Sequence, residues 1–286
     1  MAIVFLCLVG QEVFGQIPIA CSDVTSLENL ACCPATSDGV CGQDASKGQC
    51  TELNLPGYDR SSVDARHNWP HYFTRICKCN GNYSGYGCNR CKFGHYGPDC
   101  SQSHVLPRRP IANYTDSDWA DFIDTIVQSR SFDSGYMVVL EEAAPGTTNL
   151  SMTNISLYNF YVWMHHYAAK DSNTMDLENR LDYAHAGPAF TTWHRYFNLW
   201  FVSSSPNDPL FILHHAMVDC MFDKWLELHP DAEYPNDIPM TVTTTGHQPD
   251  DFMVPFFPLS TNADMFTRSS NFGYSCDLPN ITNPQA

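Results

Sequence analysis

A mainly α-helical domain preceded by a small disulfide-rich module is the fold class this chain predicts, and two observations carry that expectation. Eleven of the thirteen cysteines fall within the first hundred residues, a density that marks a region stapled by disulfides in an oxidising compartment. After Pro107-Arg108-Arg109-Pro110 cysteine nearly disappears, and apolar residues recur at three- and four-residue intervals, the period of helices buried along one face. Hydrophobic residues make up 43% and aromatic residues 13% of the 286, ample for a packed core. With 15 basic against 31 acidic side chains the net charge is −16, so the chain repels phosphate backbones and anionic membranes, and nucleic acid is not an expected partner.

Residues 1–16 have the apolar core of a secretory signal, with the small residues Gly10 and Gly15 ahead of Gln16, although no Lys or Arg precedes Lys47. A buried strand is the alternative reading. Removing the segment takes Cys7 and leaves twelve cysteines, an even number. Residues 21–101 form the cysteine-rich region, whose ten cysteines from Cys21 to Cys100 can pair as five bridges. The run Cys77-x-Cys79-x8-Cys88-x2-Cys91-x8-Cys100, ending Tyr96-Gly97-Pro98-Asp99-Cys100, resembles an epidermal-growth-factor-like or laminin-like module, too small to hold itself together without disulfides. Cys88 and Cys91 alone would also suit a zinc knuckle; their neighbours favour bridges. Sequons at Asn82, Asn113, Asn149, Asn154 and Asn280 fit a glycosylated secretory protein. No later run of eighteen apolar residues occurs, so no membrane span is expected after the signal.

Residues 102–286 read as helices joined by loops. Ser117 is a candidate cap for a helix through Trp119, Phe122, Ile123 and Ile126. A sequon-bearing loop through Pro145 and Gly146 follows, and Ser156 starts a second helix through Phe160, Trp163, Met164 and Tyr167. A third runs from Phe190 through Trp193, Phe197 and Trp200. The fourth is the clearest: Asp208 caps it, Pro209 suits its first turn, and Leu213, Met217, Met221 and Trp225 form an i, i+4 stripe that stops before Pro230. Beyond it, recurring Pro, Asp and Asn predict irregular wrapping.

Four of the twelve histidines sit on or beside these helices: His165 on the second, His194 on the third, His215 on the fourth, and His185 in the loop before His194. Imidazoles converging without thiolate or carboxylate partners suit copper, zinc or iron, and in an extracytoplasmic chain they lean toward copper. The stretch Tyr161-Val162-Trp163-Met164-His165-His166-Tyr167, with Ala184-His185-Ala186-Gly187-Pro188-Ala189-Phe190-Thr191-Thr192-Trp193-His194-Arg195, resembles the first copper half-site of tyrosinases. Asn207-Asp208-Pro209-Leu210-Phe211-Ile212-Leu213-His214-His215-Ala216-Met217-Val218-Asp219 is similar to the end of their second half-site. The cysteine-rich front and Met253-Val254-Pro255-Phe256 resemble animal tyrosinases and tyrosinase-related proteins.

The resemblance implies a four-helix-bundle copper domain acting on phenols with dioxygen, in melanin-type pigment chemistry. The implied location is a melanosome-like organelle or the extracellular space. It implies His165, His185 and His194 as ligands of one copper and His215 as one ligand of the second. His214 is excluded as a partner ligand because helical neighbours diverge by roughly 100°. Asp219, four residues after His215, is placed to orient its ring, and Arg195 to organise the bundle.

Two parts of the family pattern are missing. The acidic position expected after His194-Arg195 holds Val202, and Ser203-Ser204-Ser205-Pro206 leads straight into the second signature. The family brings two further histidines, four residues apart, on another helix; here only His67 and His71 have that spacing, with Pro70 between them, and His247 stands alone. The chain thus reads as an incomplete four-helix-bundle copper domain with an internal deletion. Two coppers, each held by three imidazoles, act together on dioxygen in the family, so the chain is read as a copper oxidoreductase with its second site depleted. The alternatives are an inactive metal-binding variant that associates with full-length family members, and an interaction module carried by the front.

Overall fold

The structure, a computed structural model, describes residues 15–53, 64, 66, 69–142, 148–169, 182–185, 187–200, 210–239 and 244–278. Its first element is strand β1 (Gly15–Pro18), buried along its length. Gly15 and Gln16, expected at the end of a signal segment, are therefore the first two residues of a core strand; residues 1–14 lie outside the described residues. The cysteine-rich front follows with helix α1 (Val24–Glu28), capped by the Asp23 side chain. Beside it lies a small sheet of β2 (Ala31–Cys32), β3 (Gly48–Glu52) and β4 (Arg75–Cys79) in the order β2-β4-β3.

All ten cysteines of the front are bridged: Cys21–Cys32, Cys33–Cys50, Cys41–Cys77, Cys79–Cys88 and Cys91–Cys100. Cys88 and Cys91 belong to different bridges, which leaves no thiolate for the zinc alternative. The front does not stand apart from the rest. Leu27, Trp69, Tyr72 and Phe73 join the same apolar core as the helices, and the buried Arg66 donates to the carbonyls of Tyr167 and Ala168 at 3.0 and 3.1 Å. Of the sequon asparagines, Asn113, Asn149 and Asn154 are exposed, whereas Asn82 spends its amide on the Cys100 carbonyl at 3.1 Å.

Strand β5 (Leu106–Arg108) leads to helix α2 (Asp116–Ser129). Its cap is Thr115, in a reciprocal capping box with Asp118, rather than Ser117. Only Ile126 of its apolar residues is fully buried, against Tyr158 and Val162; Ile123 and Val127 face solvent. The expected loop after it is instead a hairpin of β6 (Asp133–Glu142) and β7 (Leu150–Ser156), which with β1 forms an antiparallel sheet in the order β1-β6-β7. The domain is thus helical with a sheet on its flank rather than mainly α throughout.

Three helices carry His165, His194 and His215. In α3 (Leu157–Ala169) the Ser156 hydroxyl accepts from Asn159 N at 3.4 Å, and nearly every face is buried. α4 (Ala189–Trp200) and α5 (Leu210–Leu228) pack side by side. Asp208, Pro209, Val202 and the serines before them lie outside the described residues. The Met217, Met221, Trp225 and Leu228 side of α5 is between 40% and 66% exposed, opposite to the orientation predicted. The buried face carries Ile212, His215, Asp219, Phe222, Asp223 and Leu226. Charge pairing decides this: α4 offers the buried Arg195, and only the face with Asp219 and Asp223 can neutralise it.

After α5 the chain wraps as expected, through a single-turn helix α6 (Asn262–Met265) to β8 (Tyr274–Cys276), which pairs in parallel with β5. Cys220–Cys276 staples α5 to this ladder. The segment 254–258, buried except for the half-buried Pro258, has no strand partner among the described residues, yet all five of its carbonyls are satisfied: Trp193 Nε1 donates to Val254, Gln16 to Pro255, Trp69 Nε1 to Phe256, the Tyr136 hydroxyl to Phe257 and the Tyr196 hydroxyl to Pro258. Side chains from the front, the sheet and α4 thus replace a sheet ladder, and fix the backs of the helices whose fronts bear the histidines. Among the described residues no helix is long and apolar enough to cross a membrane.

Candidate metal centre

α3 delivers His165, the loop before α4 delivers His185, and α4 delivers His194. One ring nitrogen from each lies within 4.8 Å of the other two. The ring centroids are 4.9 Å apart for His165 and His185, 5.2 Å for His185 and His194, and 5.8 Å for His165 and His194. His215, from α5, lies flat against His194, with centroids 4.3 Å apart and planes 9° from parallel. A stacked ring aims its lone pairs alongside its neighbour's, so His215 sits beside the three-histidine group. His214 is exposed and meets His215 edge-on at 5.2 Å. Phe211 packs on both His165 and His215, and Phe190 on His194, walling the cluster with aromatic rings.

Hydrogen bonds choose which nitrogens remain available. His194 Nδ1 is 2.8 Å from the Phe190 carbonyl, an acceptor, so Nδ1 carries the proton. That leaves His194 Nε2 as a lone pair, buried and, among the described residues, without a hydrogen-bond partner. His185 Nδ1 lies 3.3 Å from Asp182 Oδ1, which also accepts from the backbone N–H groups of Ala184 and His185 at 2.9 Å each. His185 Nε2 is thereby turned toward His165 Nε2, 3.2 Å away. An inward orphan nitrogen and a ligand ring held through its outer nitrogen are what a metal-binding imidazole requires. The donor set fits an ion that accepts neutral imidazole.

Burial keeps His165, His194 and His215 neutral. Burial, with smaller contributions from the neighbouring imidazoles, pushes His165 down to about 3 and His215 to about 4; burial and the His215 ring push His194 to about 2. Metal therefore meets little competition from protons over the neutral range. The same shifts set an acid limit on the copper-free and zinc-free protein. Unfolded histidines take up protons below about 6.5 while these folded ones do not, so stability is full above that pH and falls on acidification toward 4. The slope is about 1.4 kcal/mol per pH unit for each such group. Thermal melts of metal-free protein between pH 7.5 and 4.5 check this: the melting temperature should fall with pH, and saturating metal should flatten the fall.

Asp219 has other work than orienting His215. Its Oδ1 accepts from Arg195 Nε at 2.6 Å, and its Oδ2 from Arg108 at 2.6 Å and from the Tyr274 hydroxyl, while His215 Nδ1 is buried with no partner among the described residues. Arg195, fully buried, also donates to the carbonyls of Met265 and Thr267, the organising role the sequence assigned to it. His71 lies 3.5 Å from Glu142, and His67 lies outside the described residues. Asp182 was not among the sequence candidates. Its signal was the Asp-Tyr-Ala-His spelling of residues 182–185, in which an Asp side chain caps the turn that presents a histidine three residues on.

The family model described as the common central domain of tyrosinase matches residues 200–228. The chain is 33% identical over 212 residues to a tyrosinase of Gallus gallus, an alignment covering 68% of this chain and 39% of that protein. Against a tyrosinase of Coturnix japonica it is 33% identical over 203 residues, covering 65% of this chain and 73% of that one. It is 30% identical over 215 residues to the 5,6-dihydroxyindole-2-carboxylic acid oxidase of Homo sapiens, covering 68% and 40%. The chain therefore spans about two fifths of the length of the first and third of these relatives.

Proposed function

This chain belongs to the tyrosinase family, and on that premise we propose that its three-histidine cluster is a copper site of the phenol-oxidising class, with its partner site depleted. The observation that carries the reading is the convergence of His165, His185 and His194 with a buried, unpartnered His194 Nε2. Bound copper supplies a redox centre for the oxidation of phenols or catechols to quinones with dioxygen. The chain's own contribution is to hold that ion. Asp182 keeps the outer proton on His185, the Phe190 carbonyl keeps the outer proton on His194, and Phe190 and Phe211 limit water around the rings.

The second site has one imidazole. No histidine lies between His194 and His214 in the sequence, and His215 alone cannot hold an ion as three imidazoles do. Family chemistry needs both, so the chain binds one copper and does not turn over phenols by itself. Purified copper-loaded chain, offered a monophenol or a catechol, should form no quinone beyond the rate of free copper. Turnover that survives a chelator wash and is lost in His215→Ala would overturn this. A second reading, in which the chain works in association with a longer family member, is favoured by the exposed Met217, Met221, Trp225 and Leu228 on the helix that carries His215.

A further inference from the structure

We infer that His247 is a positioning residue for the metal centre, a single imidazole that ties the loop bearing His185 to the start of the helix bearing His194. The inference rests on the copper reading above. Ala189 N donates to His247 Nδ1 at 3.3 Å, so the ring proton is on Nε2, which donates to the Asp182 carbonyl at 2.8 Å. Ala189 opens α4, five residues before His194, and its N–H is one of those a helix start leaves without a partner. Asp182 is the residue whose carboxylate caps the His185 turn and holds the His185 ring. Both nitrogens of His247 are committed, so it is not a ligand; it fixes the spacing of two ligand-bearing segments.

The ring is itself clamped. The Tyr234 hydroxyl donates to the His247 carbonyl at 2.8 Å. Asn262 Nδ2 donates to the carbonyls of Gly246 and Gln248 on either side, at 2.9 and 3.0 Å. Thr192 Oγ1 donates to Asn262 Oδ1 at 3.0 Å, closing the circuit back onto α4. Two glycines make the approach possible: a Cβ on Gly187 would sit 2.7 Å from His247 Nδ1, and one on Gly246, at φ +85°, would sit 2.1 Å from the Tyr183 ring. His247 is 1% exposed, so neither hydrogen bond is shared with bulk solvent in the folded chain.

Three variants separate positioning from bulk packing. His247→Gln retains a donor that reaches the Asp182 carbonyl, His247→Asn retains an acceptor near Ala189 N, and His247→Ala retains neither. Copper affinity is read by chelator competition and the copper environment by electron paramagnetic resonance, beside the melting temperature of copper-free protein. His247→Ala should bind copper about 10- to 100-fold more weakly, the usual range for groups that orient ligands, with an altered spectrum. His247→Gln should recover more affinity than His247→Asn, because the Asp182 link acts on a ligand ring. Parent-like affinity and spectrum in His247→Ala would overturn the inference. So would equal weakening in all three variants in proportion to lost melting temperature. If His247→Ala does not fold, the ordering of Gln above Asn decides. Failure of the parent chain to hold copper would instead sink the copper reading. Amide exchange at Ala184, His185 and Ala189 in copper-free protein then tests the tie: faster exchange in the Gln or Asn variant supports it, and unchanged exchange refutes it.

Discussion

His194→Ala is expected to lower copper affinity by more than about 100-fold, beyond the range seen when only an orienting neighbour is lost. The imidazole is buried, its outer nitrogen is fixed on the Phe190 carbonyl, and its inner nitrogen has no partner among the described residues. Removing it leaves two rings and a cavity lined by Phe190, Trp193 and His215. Competition against a chelator of known affinity measures the loss. His214→Ala is the matched control, because that ring is exposed on the outer side of α5. It should change copper affinity by less than about twofold, well short of the tenfold step that 1.4 kcal/mol represents. Equal losses in both variants would show that copper binds somewhere else.

Asp219→Ala is expected to be the most destabilising single substitution of an acidic residue in the helical domain. Arg195 is fully buried and Asp219 is its closest counter-ion; Asp223 lies 3.8 Å from another guanidinium nitrogen. Loss of one member of a buried pair strands the other charge, at about 3–5 kcal/mol, a large share of the 5–15 kcal/mol that holds a domain together. The Arg108 and Tyr274 hydrogen bonds go with it, loosening the β5–β8 ladder. For a domain of this size the melting temperature should drop by roughly 6–20 °C. A drop below 2 °C would mean that Asp223 and water replace Asp219, and that this network is not what orients α5.

The convergence of His165, His185 and His194 was legible because they lie in two segments whose helical period and neighbouring residues are both distinctive, Tyr161 to Tyr167 and Ala184 to Arg195. The ten-cysteine framework was legible from spacing alone. The orientation of α5 was not. Periodicity ranks faces by apolarity, and the most apolar stripe of α5 faces outward because the opposite face must meet a buried arginine that hydrophobic patterning does not register. The role expected of Asp219 was lost for the same reason, since its partners come from other elements, Arg195 on the preceding helix and Arg108 and Tyr274 on the β5–β8 ladder. Asp182 was legible only in the Asp-Tyr-Ala-His spelling of its turn, whereas His247 acts through the backbone groups of Ala189 and Asp182, so no side-chain motif announces it. The pair of β6 and β7 was read as loop because the sequence between its strands contains Pro145 and Gly146, and the strands alternate only partly between buried and exposed positions.

Everything proposed for this chain turns on how many copper ions it keeps. The direct measurement is metal analysis of purified protein after copper loading and removal of weakly held ions by a chelator wash, repeated on His185→Ala and His215→Ala. One copper per chain in the parent is expected, lost in His185→Ala and retained in His215→Ala, because His185 belongs to the three-nitrogen group and His215 stacks beside it. Two coppers per chain, or copper that survives His185→Ala and leaves with His215→Ala, would contradict the account.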